Sequence, residues 1–525
     1  MRQVEIIVAL LTIIGIVGAL AQKLKIALPI LLVLTGMVIS LTPNIPPVHL
    51  EPDAVFFIFL PPLLYLDAYN TSWRKLKDVA DVITLQAVGL VLATVAAVAV
   101  VLHVVVGLPW AAAFALGAIV SPTDAVAASA ISKEIHLPQR VMNIIKGESL
   151  VNDATGLVAY QFAVAAAVTG VFSWAEAGQR FAFVSLGGIA MGLAIGFVLA
   201  RLRTKLEHRP VEIIVSLLSP FIAYLAAEHI HVSSVLSVVT AGLCLGWHGP
   251  SMQTSTTRLQ ATANWETIIY ILNGFSFLLM GLQLRPILET VKKYPSEQII
   301  VSTIVAALAP TVVRFAWIFT VAPIYARLKK AKLPSWKHLF VLSWSGMRGV
   351  VSLAAALALP LTCVNGDQFP YRDLLIYLTV AVIASTLVMQ GITLPYLVKI
   401  LEFEPDQYNA EEAERKLRLA LSREAVRSID SLARERNLDL EDPRLQKLLN
   451  RHLERAIANI GTETPDPGTE EIWHNLRKDI IGAQRKKLIA LRDDNAIEDQ
   501  TFRVLQNELD LEEAQMKIVG VTDDA

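Results

Sequence analysis

The chain has 525 residues, of which 54% are hydrophobic, and a mean hydropathy of +0.51. That is too apolar for a soluble domain of this length built on one core. Its 46 basic and 47 acidic side chains leave a net charge of -1, yet 47 of these 93 charges fall in the last 125 positions. The composition therefore divides the chain into a lipid-solvated domain at 1–400 and a charged aqueous domain at 401–525, and no nucleic-acid partner is expected. Cys244 and Cys363 lie in or beside apolar segments and suggest neither a disulfide framework nor a metal site.

About 20 apolar residues cross a bilayer as a helix. Thirteen such spans are predicted, near 4–22, 26–42, 53–70, 79–106, 110–131, 138–170, 181–203, 211–228, 232–248, 264–284, 296–327, 337–360 and 371–400. The first resembles a signal peptide ending at Ala19-Leu20-Ala21, but cleavage there would leave Lys23 and Lys25 outside, so it reads as an uncut helix. With thirteen spans, alternate loops carry 17 basic residues on one side and 6 on the other, which puts the N-terminus outside and the C-terminal domain in the cytoplasm. Trp73, Trp110, Trp174 and Trp336, near span ends, read as interfacial anchors. His103, His229, His231 and His248 are scattered without ligand spacing.

Spans 5 and 12 each carry helix-breaking and polar residues at mid-membrane depth. Span 5 has Gly117 and Ser121-Pro122-Thr123-Asp124, and span 12 has Ser343-Trp-Ser345-Gly346-Met-Arg348-Gly349. With span 7 as a connector, spans 1–6 and 8–13 become two six-helix halves of opposite orientation. Paired interruptions of this kind mark an inverted-repeat transporter with its site at the midplane. The tail is expected to be helical at Asn409–Asn437, 443–460 and 470–515, broken at Gly461–Gly468, and to serve regulation or dimerisation.

Ionisable groups at mid-bilayer cost about 2.5–3.5 kcal/mol or more, so they are functional candidates by default. In span 6, Glu148 and Asn152, and Ser149 and Asp153, are spaced four apart and project from one side of a helix. With Thr123 and Asp124 and the carbonyls that Pro122 frees in span 5, they make an oxygen cage suited to a hard cation. A desolvated carboxylate also takes up a proton readily. Competition of H⁺ and a cation for Asp153 gives antiport. Arg314, midway along span 11, has no other evident purpose than to pair with Glu148. Asp67, near the cytoplasmic end of span 3, reads as an interfacial structural residue.

The runs Ser121-Pro-Thr-Asp-Ala-Val-Ala-Ala-Ser129, Gly147-Glu-Ser-Leu-Val-Asn-Asp-Ala-Thr-Gly156 and Gly346-Met-Arg-Gly-Val-Val-Ser352 resemble the NhaP/NHE branch of the monovalent cation/proton antiporter family. The resemblance covers 1–400. It implies a 13-helix homodimer with a mobile six-helix core and no cofactor beyond the transported ions. It also implies cation coordination by Asp153, Ser149, Asp124 and the Thr123 backbone, an ion pair of Glu148 with Arg314, and Arg348 near the crossing of the broken helices. Lys146 departs from eukaryotic members, which tend to be apolar there, and is expected to snorkel toward the cytoplasm. Asn152 before Asp153 resembles the electroneutral members. The expected function is Na⁺/H⁺ exchange across the plasma membrane, with K⁺/H⁺ exchange as the alternative. A membrane sensor signalling through the tail, or through an unknown partner of it, is the remote one. An intramembrane aspartyl protease would need a Gly-x-Gly-Asp string, which the sequence lacks.

Overall fold

The computed structural model describes residues 2–24, 26–42, 52–71, 73, 77, 79–124, 139–169, 174–206, 208–252, 254–330, 333–363, 367–401, isolated positions within 417–428, 470–494, 497 and 499–519. Every regular element among them is helical. In chain order they are α1 (Arg2–Leu24), α2 (Leu28–Leu41), α3 (Pro52–Tyr69), α4 (Ala80–Val106), α5 (Trp110–Val120), α6 (Gln139–Thr169), α7 (Trp174–Arg203) and α8 (Arg209–His229). There follow α9 (Ser234–Met252), α10 (Ser255–Leu282), α11 (Ser296–Lys329), α12 (Trp336–Trp344), α13 (Val350–Leu357), α14 (Arg372–Leu401), α15 (Glu470–Asp493) and α16 (Asp499–Val519), with a short helix Leu284–Val291 after α10. Seven of these helices are long and apolar enough to cross a membrane: α1, α4, α7, α8, α10 with its short extension, α11 and α14. The sequence-predicted segments 409–437 and 443–460 lie largely outside the described residues.

Two compact units emerge, the first comprising Met1–Leu202, Ile214–His248 and Trp265–Glu404, the second Arg203–Ile213, Gly249–Asn264 and Pro405–Ala525. The first unit wears its apolar residues on the outside as well as the inside. Phe183, Leu186 and Val198 on α7, and Val4 and Ile16 on α1, are each about 60% exposed or more. Such a surface is stable only against lipid or another apolar face. Inside, α5 is buried almost along its whole length, from Ala112 to Val120, because alanines and a glycine let α4 and α6 approach it closely.

Backbone irregularity is concentrated around that buried helix. Helix α5 stops at Val120, and the break between α12 and α13 spans Ser345 to Gly349. In a hydrocarbon environment the polar groups freed by these breaks must find partners inside the protein. They do: the Asp124 amide donates to the Met347 carbonyl at 2.8 Å, tying one break to the other, and the Arg348 amide donates to Thr386 Oγ1 at 3.3 Å. Thr386 opens a π-helical turn, Thr386–Gln390, inside α14. A π-turn widens the helix locally and recurs at functional positions.

In the second unit, α15 and α16 pair as a hairpin whose apolar seam contains Ile481, Leu488, Phe502, Leu505 and Leu509, with Leu417 and Leu421 packed in. Asp510, fully buried, accepts hydrogen bonds from Arg258 Nε at 2.5 Å and from Arg485 at 3.0 Å, while Arg485 also reaches Glu513 at 2.7 Å. Arg258, in the first turn of α10, is thus held by the C-terminal segment rather than by solvent.

Candidate cation site

Five elements of the first unit enclose a cavity. Phe59, Leu60, Leu63, Leu64 and Asp67 come from α3, and Pro122, Thr123 and Asp124 from the break after α5. Ser149 and Asp153 come from α6, Asn273 from α10, and Gly349 to Ser352 with Ala354 from the start of α13. Its open volume is about 50 Å³, room for a few waters or a partly hydrated small cation. Among the described residues three carboxylates line it and no basic side chain does, which makes that lining anionic.

Each acid is held differently. Asp124 follows the α5 break and lies so close against Gly349 that a methyl group added to the glycine would overlap its carboxylate. Any side chain at 349 would therefore displace Asp124. Since α13 begins at Val350, the carboxylate sits at a helix N-terminus, where unpaired amides and the helix dipole favour a negative charge. Asp153 is 5% exposed, and its carboxylate makes no hydrogen bond to the protein among the described residues. It is left to the contents of the cavity. Asp67, read from the sequence as an interfacial structural residue, is exposed and lines the same cavity.

The polar side of α6 divides in two. Residues 148 and 149 are successive on a helix and so point about 100° apart. Ser149 and Asp153 line the cavity, whereas Glu148 and Asn152, each 1% exposed, turn to a buried network outside it. Glu148 forms a two-pronged pair with Arg314 of α11, one arm being Arg314 Nη2 to Glu148 Oε2 at 2.9 Å and the other Arg314 Nη1 to Glu148 Oε1. Thr123 Oγ1 donates to Glu148 Oε1 at 3.1 Å, and Asn152 Nδ2 donates to Thr123 Oγ1 at 2.8 Å. Arg314 Nε donates to the Leu342 carbonyl at 3.1 Å, near the end of α12. The amide nitrogen of Asn152 is thus committed to Thr123, while its Oδ1 is buried with no hydrogen-bond partner among the described residues.

Arg348 is also buried, and its guanidinium caps both breaks. Nε donates to the Val120 carbonyl at 3.0 Å, at the end of α5, and Nη1 donates to the Gly346 carbonyl. A cation suits helix C-termini. Lys146 is exposed and does not line the cavity. Among the polar cavity residues, Asp67, Asn273 and Ser352 fall outside the site set drawn from the sequence, and Asp67 and Asn273 are the two that come from helices that set did not include. The signal for each is a lone polar residue in an apolar helix.

A helical membrane protein in which two interrupted helices are tied together beside a small, carboxylate-lined cavity belongs to the class of ion-handling membrane transporters. Comparison specifies the class. The family described as sodium/hydrogen exchanger, transmembrane, matches residues 6–400, and the chain belongs to that family. An uncharacterised Na⁺/H⁺ exchanger of Mycobacterium tuberculosis is 32% identical over 97% of this chain and 96% of its own. A sodium, potassium, lithium and rubidium/H⁺ antiporter of Bacillus pumilus is 33% identical over 92% of this chain and 73% of its own. In fold, the chain is similar to the sodium proton antiporter MjNhaP1 from Methanocaldococcus jannaschii, with a TM-score of 0.62 at 19% identity, over 77% of this chain and 99% of that one.

Proposed function

We propose that this protein exchanges one Na⁺ for one H⁺ by alternating access, with Asp153 as the group that carries either the proton or the cation. The observation that carries the reading is the state of that carboxylate: buried, facing an ion-sized anionic cavity, and without a hydrogen-bond partner in the protein among the described residues. Such a group requires a proton or a cation as its counter-charge, since a bare carboxylate in a low-dielectric site is strongly disfavoured. Asp124, at the start of α13, stays ionised, and Ser149 and Thr123 add neutral oxygens. The site then carries the same charge whether loaded with H⁺ or Na⁺, which makes the exchange electroneutral. No cofactor takes part beyond the transported ions.

In this reading the helices supply thirteen spans. Spans 1–6 and 8–13 are inverted halves, α12 and α13 being the two arms of span 12 and the α5 break lying in span 5. Two copies assemble as a homodimer in the plasma membrane, with the N-terminus outside and the second unit in the cytoplasm. K⁺/H⁺ exchange is the second reading, favoured by the Bacillus relative whose name includes potassium, lithium and rubidium. One experiment separates the two. In proteoliposomes acidified inside and loaded with a pH-sensitive dye, adding Na⁺ is expected to dequench the dye at lower concentration than K⁺. Dequenching by K⁺ alone would favour the second reading, and none with Na⁺, Li⁺ or K⁺ would reject exchange altogether.

A further inference from the structure

Helix α10 contributes one residue to the cavity, and it is polar. Asn273 stands beside apolar Phe59, Leu60, Leu63 and Leu64, and its side-chain amide makes no hydrogen bond within the described protein. A half-buried amide left unpaired costs about 1–3 kcal/mol, and on the cavity wall it is open to a partner held in the cavity. Its position is fixed by close packing on α1 and α2. A methyl added to the adjacent Gly274 would lie 2.7 Å from Ile14 Cγ2, and Ser40 Oγ on α2 donates to the Leu282 carbonyl at 2.8 Å while accepting from the Arg285 amide at 3.0 Å. These contacts fix the backbone of α10 at Asn273 relative to α1 and α2.

We propose that Asn273 contacts the transported cation through its amide oxygen and helps set which cation is accepted. The inference rests on the exchange reading above. Asp124, Ser149, Thr123 and Asp153 come from the α5 break and α6, and Asn273 adds a neutral oxygen from a separately anchored helix. Because α10 is pinned, this oxygen sets the width of the cage instead of following the ion. Cage width and ligand rigidity are what separate Li⁺, Na⁺ and K⁺. A side chain that carries no charge leaves the one-for-one charge balance untouched.

The test is Asn273→Leu, which matches the neighbouring leucines in volume and polarity, measured beside Asn273→Asp and Asp153→Asn in purified, reconstituted full-length protein. Loss of one neutral ligand is expected to raise the apparent KM for Na⁺ about five- to tenfold, with maximal rate within about twofold. The Li⁺ to Na⁺ to K⁺ preference should flatten, while oligomeric state and melting temperature stay unchanged. Asn273→Asp, which keeps the oxygen and adds charge, is expected to lower the Na⁺ KM and shift the pH profile of exchange, and it decides the matter if the leucine variant fails to assemble. Unchanged KM, selectivity and pH profile in these variants, with Asp153→Asn inactive, would overturn the role of Asn273 and leave the exchange reading intact. Absence of exchange in the wild type would overturn both.

Discussion

Replacing Asp153 with Asn is expected to reduce cation-driven proton flux to the level of protein-free liposomes, with the protein still assembled. The amide has the shape of the carboxylic acid but can neither release a proton nor balance a cation. No hydrogen bond ties the Asp153 carboxylate to the protein among the described residues, so its removal breaks no internal contact. Removal of a like charge from a cavity that also holds Asp67 and Asp124 relieves repulsion, so stability should hold or rise. Flux is read from a pH dye in proteoliposomes, and assembly by size-exclusion chromatography and thermal unfolding. Substantial Na⁺-driven flux in the purified variant would remove Asp153 from the centre of the mechanism.

The second large effect is expected at Glu148 and Arg314. Both are about 98% or more buried, and each supplies the other's counter-charge within a network that includes Thr123, Asn152 and the Leu342 carbonyl. Mutating either one to alanine strands a charge in the core, at a cost on the order of 3–5 kcal/mol. A double neutral variant should recover part of that loss, because no charge is left unpaired. The readout is melting temperature across the full double-mutant cycle. The pair also braces both broken helices, through Thr123 after α5 and Leu342 near the end of α12, so the single variants should lose exchange as well as stability. Strictly additive losses would contradict a pairing that acts as a unit.

Much of the site was legible because polar residues are scarce in its helices. Ser121 to Asp124 and Ser343 to Gly349 stand out against apolar surroundings, and a lone arginine such as Arg314 demands an acid. What the sequence does not carry is direction. Glu148 and Asn152 sit one position before Ser149 and Asp153, and only the packing of α6 against α5 and α11 decides which pair meets Arg314 and Thr123 and which faces the cavity. For the same reason Asp67 read as an interfacial residue. Its helix periodicity suits either place, and the approach of α3 to α13 puts it on the cavity wall. Asn273 is a single amide in an apolar run, and its importance appears only once α10 is seated on Ile14. The count of crossings was the least direct inference. Helices buried among others, such as α5 with its 11 residues and the charged α6, need neither the length nor the uniform polarity of a lipid-facing span. The tail showed helical periodicity, but nothing in its sequence indicated that Asp510 takes Arg258 as a partner.

The central claim is that one carboxylate, Asp153, carries either one proton or one cation. Its most direct test is the null point of exchange under voltage clamp. Proteoliposomes are held at set potentials with valinomycin and K⁺, and the Na⁺ gradient at which net proton flux stops is found at each potential. A transmembrane voltage acts on every uncompensated charge with about 2.3 kcal/mol per 100 mV, so even one unbalanced charge per cycle would displace the null point strongly. One-for-one exchange predicts that flux stops where the Na⁺ and H⁺ concentration ratios are equal, at every voltage. A null point that moves with voltage would mean that a second group, Asp124 or Asp67, titrates during transport, and would contradict the claim.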